Sequence, residues 1–267
     1  MAGGRGIAAS RAVTRRILVV APHPDDEIVA CGIAGVRARD AGDSVYVLYL
    51  TTGVPAGERL WAGQRGAHAA RVRRRREEAL AAAAMLGFKP VAFCEWASRE
   101  LRRHLDEAAG YIARAIRQCE ADALWVPAFE GAHQDHDAAN ALAAGFGDRV
   151  PVQEFAAYNF SGARVRANRF PSEDGAITTL VATPEESALK RRALACYASE
   201  RGNLAHIGTE RESWRALAQH DYGRPPHAGR LFRERFHWVP FRHPRIDFDR
   251  SREIYRELGR FAARRSG

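Results

Sequence analysis

The chain has 267 residues, 46% of them hydrophobic and 27% charged, which suits a soluble globular protein with a full core and excludes a low-hydrophobicity disordered segment. No apolar run approaches the roughly 18–20 residues needed to cross a bilayer, so a transmembrane segment is not expected. The net charge of +9 raises nucleic acid as a partner, but it is almost all arginine, with lysine only at Lys89 and Lys190. The densest run, 71–76, is followed at once by Glu77 and Glu78, and helical spacing lets Arg73–Glu77 and Arg74–Glu78 pair on a solvated face. No nucleic-acid motif accompanies it, and none is expected as a partner.

Residues 1–15 are Gly/Ala/Arg-rich without an apolar stretch and read as a flexible leader rather than a signal peptide. An apolar strand over 16–21 then stops in His23-Pro24-Asp25-Asp26-Glu27, with a helix over 25–40 to follow. A β-rich run at 44–50 comes next, then a Gly/Pro loop and a long helix over 65–86 closed by Gly87. A short strand at 90–94, a helix over 101–119 and a strand at 123–126 lead to a second polar cluster, Glu130 to His136. A helix over 137–146 and a strand over 152–158 complete the regular part. A strand at 178–183 and a helix over 184–197, capped by Thr183 with Glu186 three positions on, come after it.

Beyond Gly202 the chain is rich in His, Arg, Pro and aromatics and reads as an irregular embellishment. The whole of 16–267 is expected to form one domain, with a core over 16–200 and a tail over 201–267. Strands alternating with helices imply a Rossmann-like, mostly parallel α/β sheet flanked by helices. Its strand ends share one edge, so the clusters at 23–27 and 130–136 should converge. The four cysteines (Cys31, Cys94, Cys119, Cys196) form no CxxC pair. They read as small buried hydrophobes in a reducing, cytoplasmic setting.

The two clusters carry the chemistry. A histidine among carboxylates is costly unless a cation or solvent neutralises them. His23 and Asp26, three apart, share a helical face, while Asp25 points elsewhere and stays free to hold a water. His133 and His136 repeat that spacing, with Asp135 placed to orient an imidazole. Three N/O ligands with an open position describe a catalytic zinc site, and a neighbouring carboxylate as general base makes the expected reaction hydrolysis of an amide or ester. Glu27 reads as structural, favoured in a first helical turn by the macrodipole.

The residues Ala21-Pro-His-Pro-Asp-Asp-Glu27 and His133-Gln-Asp-His136 resemble the PIG-L/LmbE-like de-N-acetylases over roughly 16–200, with corroboration from Arg75–Ala79 and Lys190–Tyr197. The resemblance implies His23, Asp26 and His136 as ligands of zinc or another divalent ion such as Fe2+. It implies Asp25 as general base, His133 as oxyanion stabiliser or acid tuned by Asp135, and Arg75 as a substrate contact. The implied substrate is an N-acetyl amino-sugar, free or linked to a lipid, nucleotide or natural product. Tyr158, Asn159, His220, Tyr222 and His227 are further candidates for the sugar pocket. An amidase for another sugar or thiol conjugate and a non-catalytic metal-binding module stand as alternatives, and the sequence carries no signal for oligomeric state.

Overall fold

The computed structural model describes residues 14–173, 175–241, 243 and 246–265. Most of the expected leader, 1–13, lies outside them, whereas Arg15 is anchored by a bidentate contact to the Asp43 carboxylate. The first half alternates as expected: β1 (Arg16–Ala21), α1 (Asp26–Asp40), β2 (Ser44–Tyr49), a short α2 (Ala62–Arg65), α3 (His68–Leu86), β3 (Lys89–Phe93), α4 (Leu105–Cys119), β4 (Ala123–Pro127) and α5 (Gln134–Ala144). The remainder comprises β5 (Val152–Phe155), β6 (Tyr158–Asn159), β7 (Arg166–Ala167), β8 (Thr178–Val181), α6 (Pro184–Cys196), α7 (Arg201–Leu204), β9 (Arg211–Ala216) and α8 (Ser251–Arg265).

Seven strands form one sheet in the order β3-β2-β1-β4-β5-β9-β8, parallel through β5 and antiparallel at β9 and β8. β1 is bonded on one side to β2 and on the other to β4, so the chain reverses its direction of winding there. The crevice beyond the carboxyl ends of two such strands is where open α/β sheets bind ligands. One apolar layer, with Leu18, Leu124, Ile112 and Leu142, covers one face, and a second, with Ile17, Val47, Ile33 and Tyr197, covers the other. No described helix is long and apolar enough to cross a membrane. The cysteines are unpaired, with Cys31, Cys94 and Cys119 buried and Cys196 half-buried.

Several boundaries differ from the sequence reading, each for a local reason. Helix α5 begins at Gln134, not 137, because the His133 ring caps it by accepting the Asp135 N–H at 3.1 Å. The strand expected to reach 158 ends at Phe155, since the buried Glu130 carboxylate takes the Ala157 and Tyr158 N–H groups out of the ladder. Pro24 and Asp25 form a turn before α1 rather than its first turn. Of the two expected Arg–Glu pairs on α3, Arg74–Glu78 forms at 3.1 Å.

Strand β9 and helix α8 were not anticipated in the tail. β9 hides its strand character because Glu212 and Arg215 are charged yet buried, held by Lys190 and Glu154. α8 does carry a readable stripe, Ile254, Tyr255, Leu258 and Phe261, which packs into the layer containing Leu142 and Phe146.

Helix α1 has a break at Cys31 (φ −143°). The N–H groups of Ile33 and Ala34 donate instead to the Glu212 carboxylate at 2.9 and 2.8 Å. The Val29 carbonyl left over accepts from Lys190 Nζ at 3.1 Å and Asn168 Nδ2 at 2.9 Å. Lys190 and Glu212 close the circuit at 2.7 Å, so one buried ion pair satisfies both sides of the interrupted helix.

Candidate metal centre and active site

The loops after β1 and β4 meet at the switch point and bring the two clusters together. Asp26 Oδ2 accepts from the His23 backbone N–H at 2.8 Å and lies 3.0 Å from His23 Nδ1. Its other oxygen lies 3.0 Å from His136 Nε2. One donor atom from each of His23, Asp26 and His136 falls within 4.8 Å of the others, and all three residues are buried. His23, His133 and Asp135 form a second group of the same kind.

Hydrogen bonding separates the two groups. Asp135 is saturated, accepting from the backbone N–H groups of Arg99 at 2.6 Å and Leu101 at 3.2 Å and lying 3.0 Å from His23 Nε2. His136 is fully buried, with Nε2 turned to the Asp26 carboxylate at 3.0 Å and no hydrogen-bond partner for Nδ1 among the described residues. A buried imidazole whose Nε2 converges with a second imidazole on one carboxylate fits a cation bound at His23, Asp26 and His136. Burial disfavours the charged form of His23, but the negative charges of Asp26 and Asp135 outweigh it and raise its pKa to about 10. Burial likewise opposes ionisation of Asp26, but His136 and His23 hold its carboxyl far below the usual range. The site thus holds positive charge strongly, as a proton or as a metal.

Asp25 sits beside this group with a positive φ of 123°. That conformation costs a non-glycine residue on the order of 1–3 kcal/mol and persists only where its surroundings enforce it. Glu27 accepts the Asp25 N–H at 3.0 Å and is itself held by the Tyr197 hydroxyl. Arg75 donates to the Pro24 carbonyl and, at 2.9 Å, to Asp25 Oδ2. Gly53 makes room for that guanidinium: a Cβ there would lie 2.9 Å from Arg75 Nη2. Burial lifts the Asp25 carboxyl to about 7, against the opposing pull of Arg75.

His133 accepts the Asp135 N–H through Nδ1, so its ring proton sits on Nε2. Burial and the nearby His23 hold it well below its usual pKa, keeping the ring neutral. The Asp135 carboxylate does not hydrogen-bond to His133, lying 3.6 Å from Nδ1; it orients His23 instead.

These groups line a cleft of about 590 Å³ walled by His23, Asp25, Asp26, Arg75, His133 and Tyr158. Arg75 is only 3% exposed and its charge is engaged by Asp25, so it supports the carboxylate rather than presenting a free guanidinium. The Tyr158 ring stands 5.4 Å from that of His136. The other expected pocket residues lie elsewhere. Asn159 is fully buried against Glu130 and the Arg169 carbonyl. His220 pairs with Glu154, and Tyr222 donates to Asn140 Oδ1. His227 contacts the Ala228 carbonyl away from the cleft. The polar groups of Asn159, His220 and Tyr222 are consumed by partners that sequence order does not place beside them, Glu130, Glu154 and Asn140.

The cleft also contains residues that the sequence reading passed over: Ser98, Arg99, His206, Phe232, Arg233 and Arg235. Ser98 and Arg99 follow β3, whose carboxyl end opens on the same edge as those of β1 and β4, so the parallel-sheet rule already pointed to them. His206 and the 232–235 turn had no such signal.

Glu154 has a testable consequence of its own. Burial opposes its ionisation, but His220 and Arg215 outweigh this and lower its pKa from 4.5. A depressed carboxylate stabilises the fold above its unfolded pKa and loses that contribution as pH falls through the folded value. Melting curves between about pH 3 and 6 are therefore expected to fall less steeply with acidification in Glu154→Gln than in the wild type.

Residues 18–145 match the family model described as PIG-L, GlcNAc-PI de-N-acetylase. No curated protein matches the chain in sequence. Among solved structures, the zinc-inhibited form of teicoplanin deacetylase Orf2 is similar at TM-score 0.59 and 21% identity, over 77% of this chain and 99% of that one. N,N'-diacetylchitobiose deacetylase from Pyrococcus horikoshii is similar at 0.51 and 18%, over 76% and 84%. The 4-carboxy-2-hydroxymuconate hydratase GalB from Pseudomonas putida is similar at 0.56 and 18%, over 78% and 98%. At such identities the likeness is one of fold. The segment 18–145, which matches the PIG-L family of de-N-acetylases, contains both clusters.

Proposed function

We propose that this protein is a zinc-dependent de-N-acetylase that hydrolyses the acetamide of an N-acetyl amino-sugar. The observation that carries the reading is the meeting of the buried His23–Asp26–His136 group with a carboxylate at neutral pKa and a neutral imidazole, Asp25 and His133 lying beside His23 and Asp26 on the wall of one cleft. The family supports removal of an N-acetyl group, and the teicoplanin and chitobiose deacetylases share the fold.

His23, Asp26 and His136 would hold the ion, which supplies Lewis-acid polarisation of a carbonyl and acidification of water. Asp25, with its carboxyl near 7, takes a proton from the attacking water and returns it to the departing amine. The Nε2–H of His133 donates to the oxyanion that develops on the acetamide carbonyl. Arg75 and Glu27 hold Asp25 in its strained turn, so the base is positioned before substrate arrives.

Acetate release from a panel of N-acetyl amino-sugars, abolished by chelation and restored by zinc, is the direct test. Release from larger amide conjugates but not from sugar acetamides would favour the amidase, and hydration of an unsaturated tricarboxylate would favour the chemistry of the hydratase. Zinc binding is also expected to raise the melting temperature, by about 2.7 kcal/mol of stability at a hundredfold excess over Kd. His136→Ala should abolish that rise; a metal content near zero in the folded wild type would leave no metalloenzyme to discuss.

A further inference from the structure

Helix α5 carries the candidate ligand His136, and its first turn is gripped by residues from beyond the matched segment 18–145. The grip passes through Asp137, the residue after His136, which is fully buried. Asp137 Oδ1 accepts the Glu130 N–H at 3.3 Å and the Gly131 N–H at 3.1 Å. These two bonds close the loop 130–137, which contains both His133 and His136. The other oxygen, Oδ2, accepts the Tyr255 hydroxyl of α8 at 2.8 Å.

Tyr255 is itself held firmly. It is 1% exposed, belongs to the α8 stripe packed into the layer of Leu142 and Phe146, and meets the Phe129 ring edge-on at 5.9 Å. Packing of α8 thus delivers the hydroxyl to Asp137 without help from the loop. A buried carboxylate that lost this donor would keep one oxygen unpaired, which is costly.

The turn Phe232–Glu234 adds two further holds on the same loop. The Phe232 N–H donates to the Gly131 carbonyl at 3.1 Å. Gly131 has a φ of +70°, and a Cβ there would meet Leu231 at 2.7 Å, so tail and loop approach as closely as backbone allows. Arg233, 5% exposed, lies over the Tyr255 ring with Cζ 5.3 Å from its centroid. Burial pushes the Asp137 carboxyl up, and the Arg233 guanidinium leads the charges that oppose this. Nε, Nη1 and Nη2 of Arg233 have no hydrogen-bond partner among the described residues, so it acts by charge on Asp137 and on the Tyr255 ring.

We infer that Tyr255 and Arg233 are positioning residues of the metal centre, which act through Asp137 to set His133 and His136 in place before an ion binds. The inference rests on the reading of His23, Asp26 and His136 as ligands. Groups that orient metal ligands from outside are worth about 10–100-fold in affinity, and at one residue's remove a change of about tenfold is expected.

Zinc affinity of the full chain is measured by competition with a chromophoric chelator, and the visible spectrum of the cobalt(II) form reports ligand geometry. Hydrogen exchange on the metal-free protein reports the loop itself. Tyr255→Phe is expected to weaken zinc binding about tenfold, shift the cobalt bands and speed exchange over 128–137 while 17–30 is unchanged. Arg233→Met should do the same, and Arg233→Lys, which keeps the charge, should recover most of the affinity; this pair decides alone should Tyr255→Phe not fold. Tyr222→Phe is the control, because it removes another buried hydroxyl from α5, at Asn140 Oδ1, without touching the loop. It should leave affinity, spectrum and loop exchange as in the wild type. Equal losses in Tyr222→Phe and Tyr255→Phe, or wild-type zinc affinity in Tyr255→Phe, overturn the positioning role while leaving the ligands intact. If the wild type binds neither zinc nor cobalt, the ligand reading fails and exchange decides the clamp separately. Faster loop exchange in Tyr255→Phe but not in Tyr222→Phe supports it, and unchanged or uniformly faster exchange overturns it.

Discussion

Asp25→Asn is expected to lower kcat/KM for an N-acetyl amino-sugar by about 10²–10⁴-fold while leaving zinc content near that of the wild type. Asparagine preserves the side-chain shape and can still face Arg75, but it cannot accept a proton from water. Asp25 is not one of the three grouped donors, so the ion should remain. Steady-state kinetics combined with metal analysis on the same preparation separates the two effects. Loss of zinc together with activity would show that Asp25 is a ligand, and retention of activity would remove it as the base. Arg75→Met is the companion variant: it deletes the donor to Asp25 and to the Pro24 carbonyl, so the carboxyl should rise further and the strained turn should loosen.

Lys190→Met is expected to destabilise the protein by about 3–5 kcal/mol, the largest stability effect of any single change proposed for this fold. Lys190 is 1% exposed and Glu212 is fully buried. Removing the ammonium leaves a carboxylate without its counter-ion and the Val29 carbonyl short of a donor. Urea unfolding of the single variant and of Lys190→Met/Glu212→Gln measures the coupling, with the double variant expected to recover part of the loss because the uncompensated charge is gone. Additive losses would mean that the pair does not act as a unit. Because α1 begins at the loop carrying the candidate metal ligands His23 and Asp26, the single variant should also lower the apparent affinity for zinc.

Much of the candidate site's placement was legible because it is local. A buried strand that ends in His-Pro-Asp-Asp-Glu states its place in an α/β sheet through hydropathy alone, and three-residue spacing puts His23 and Asp26 within reach of one ion. The capping box at Thr183 and Glu186 and the left-handed Gly87 at the end of α3 were equally local and formed as expected. What failed was long-range or electrostatic. The motif feature Lys190–Tyr197 carried no meaning until folding brought Lys190 to the break in α1 and Tyr197 to Glu27. Strand β9 escaped notice because its charges are neutralised by partners 22 and 61 residues away in the chain.

The contrast is sharpest between Asp25 and His220. Both are polar residues in suggestive runs, yet Asp25 faces the cleft while His220 is consumed by Glu154. Residue type, spacing and hydropathy are properties of neighbours along the chain, so they suffice for the strand-and-helix alternation, the two clusters and the kind of reaction those clusters support. Whether a polar group is free to meet a substrate depends on which distant groups already occupy its hydrogen bonds. That occupancy exists only after packing, and it holds Asn159, His220 and Tyr222 out of the site, while packing brings Arg99, His206, Arg233 and Arg235 to the cleft.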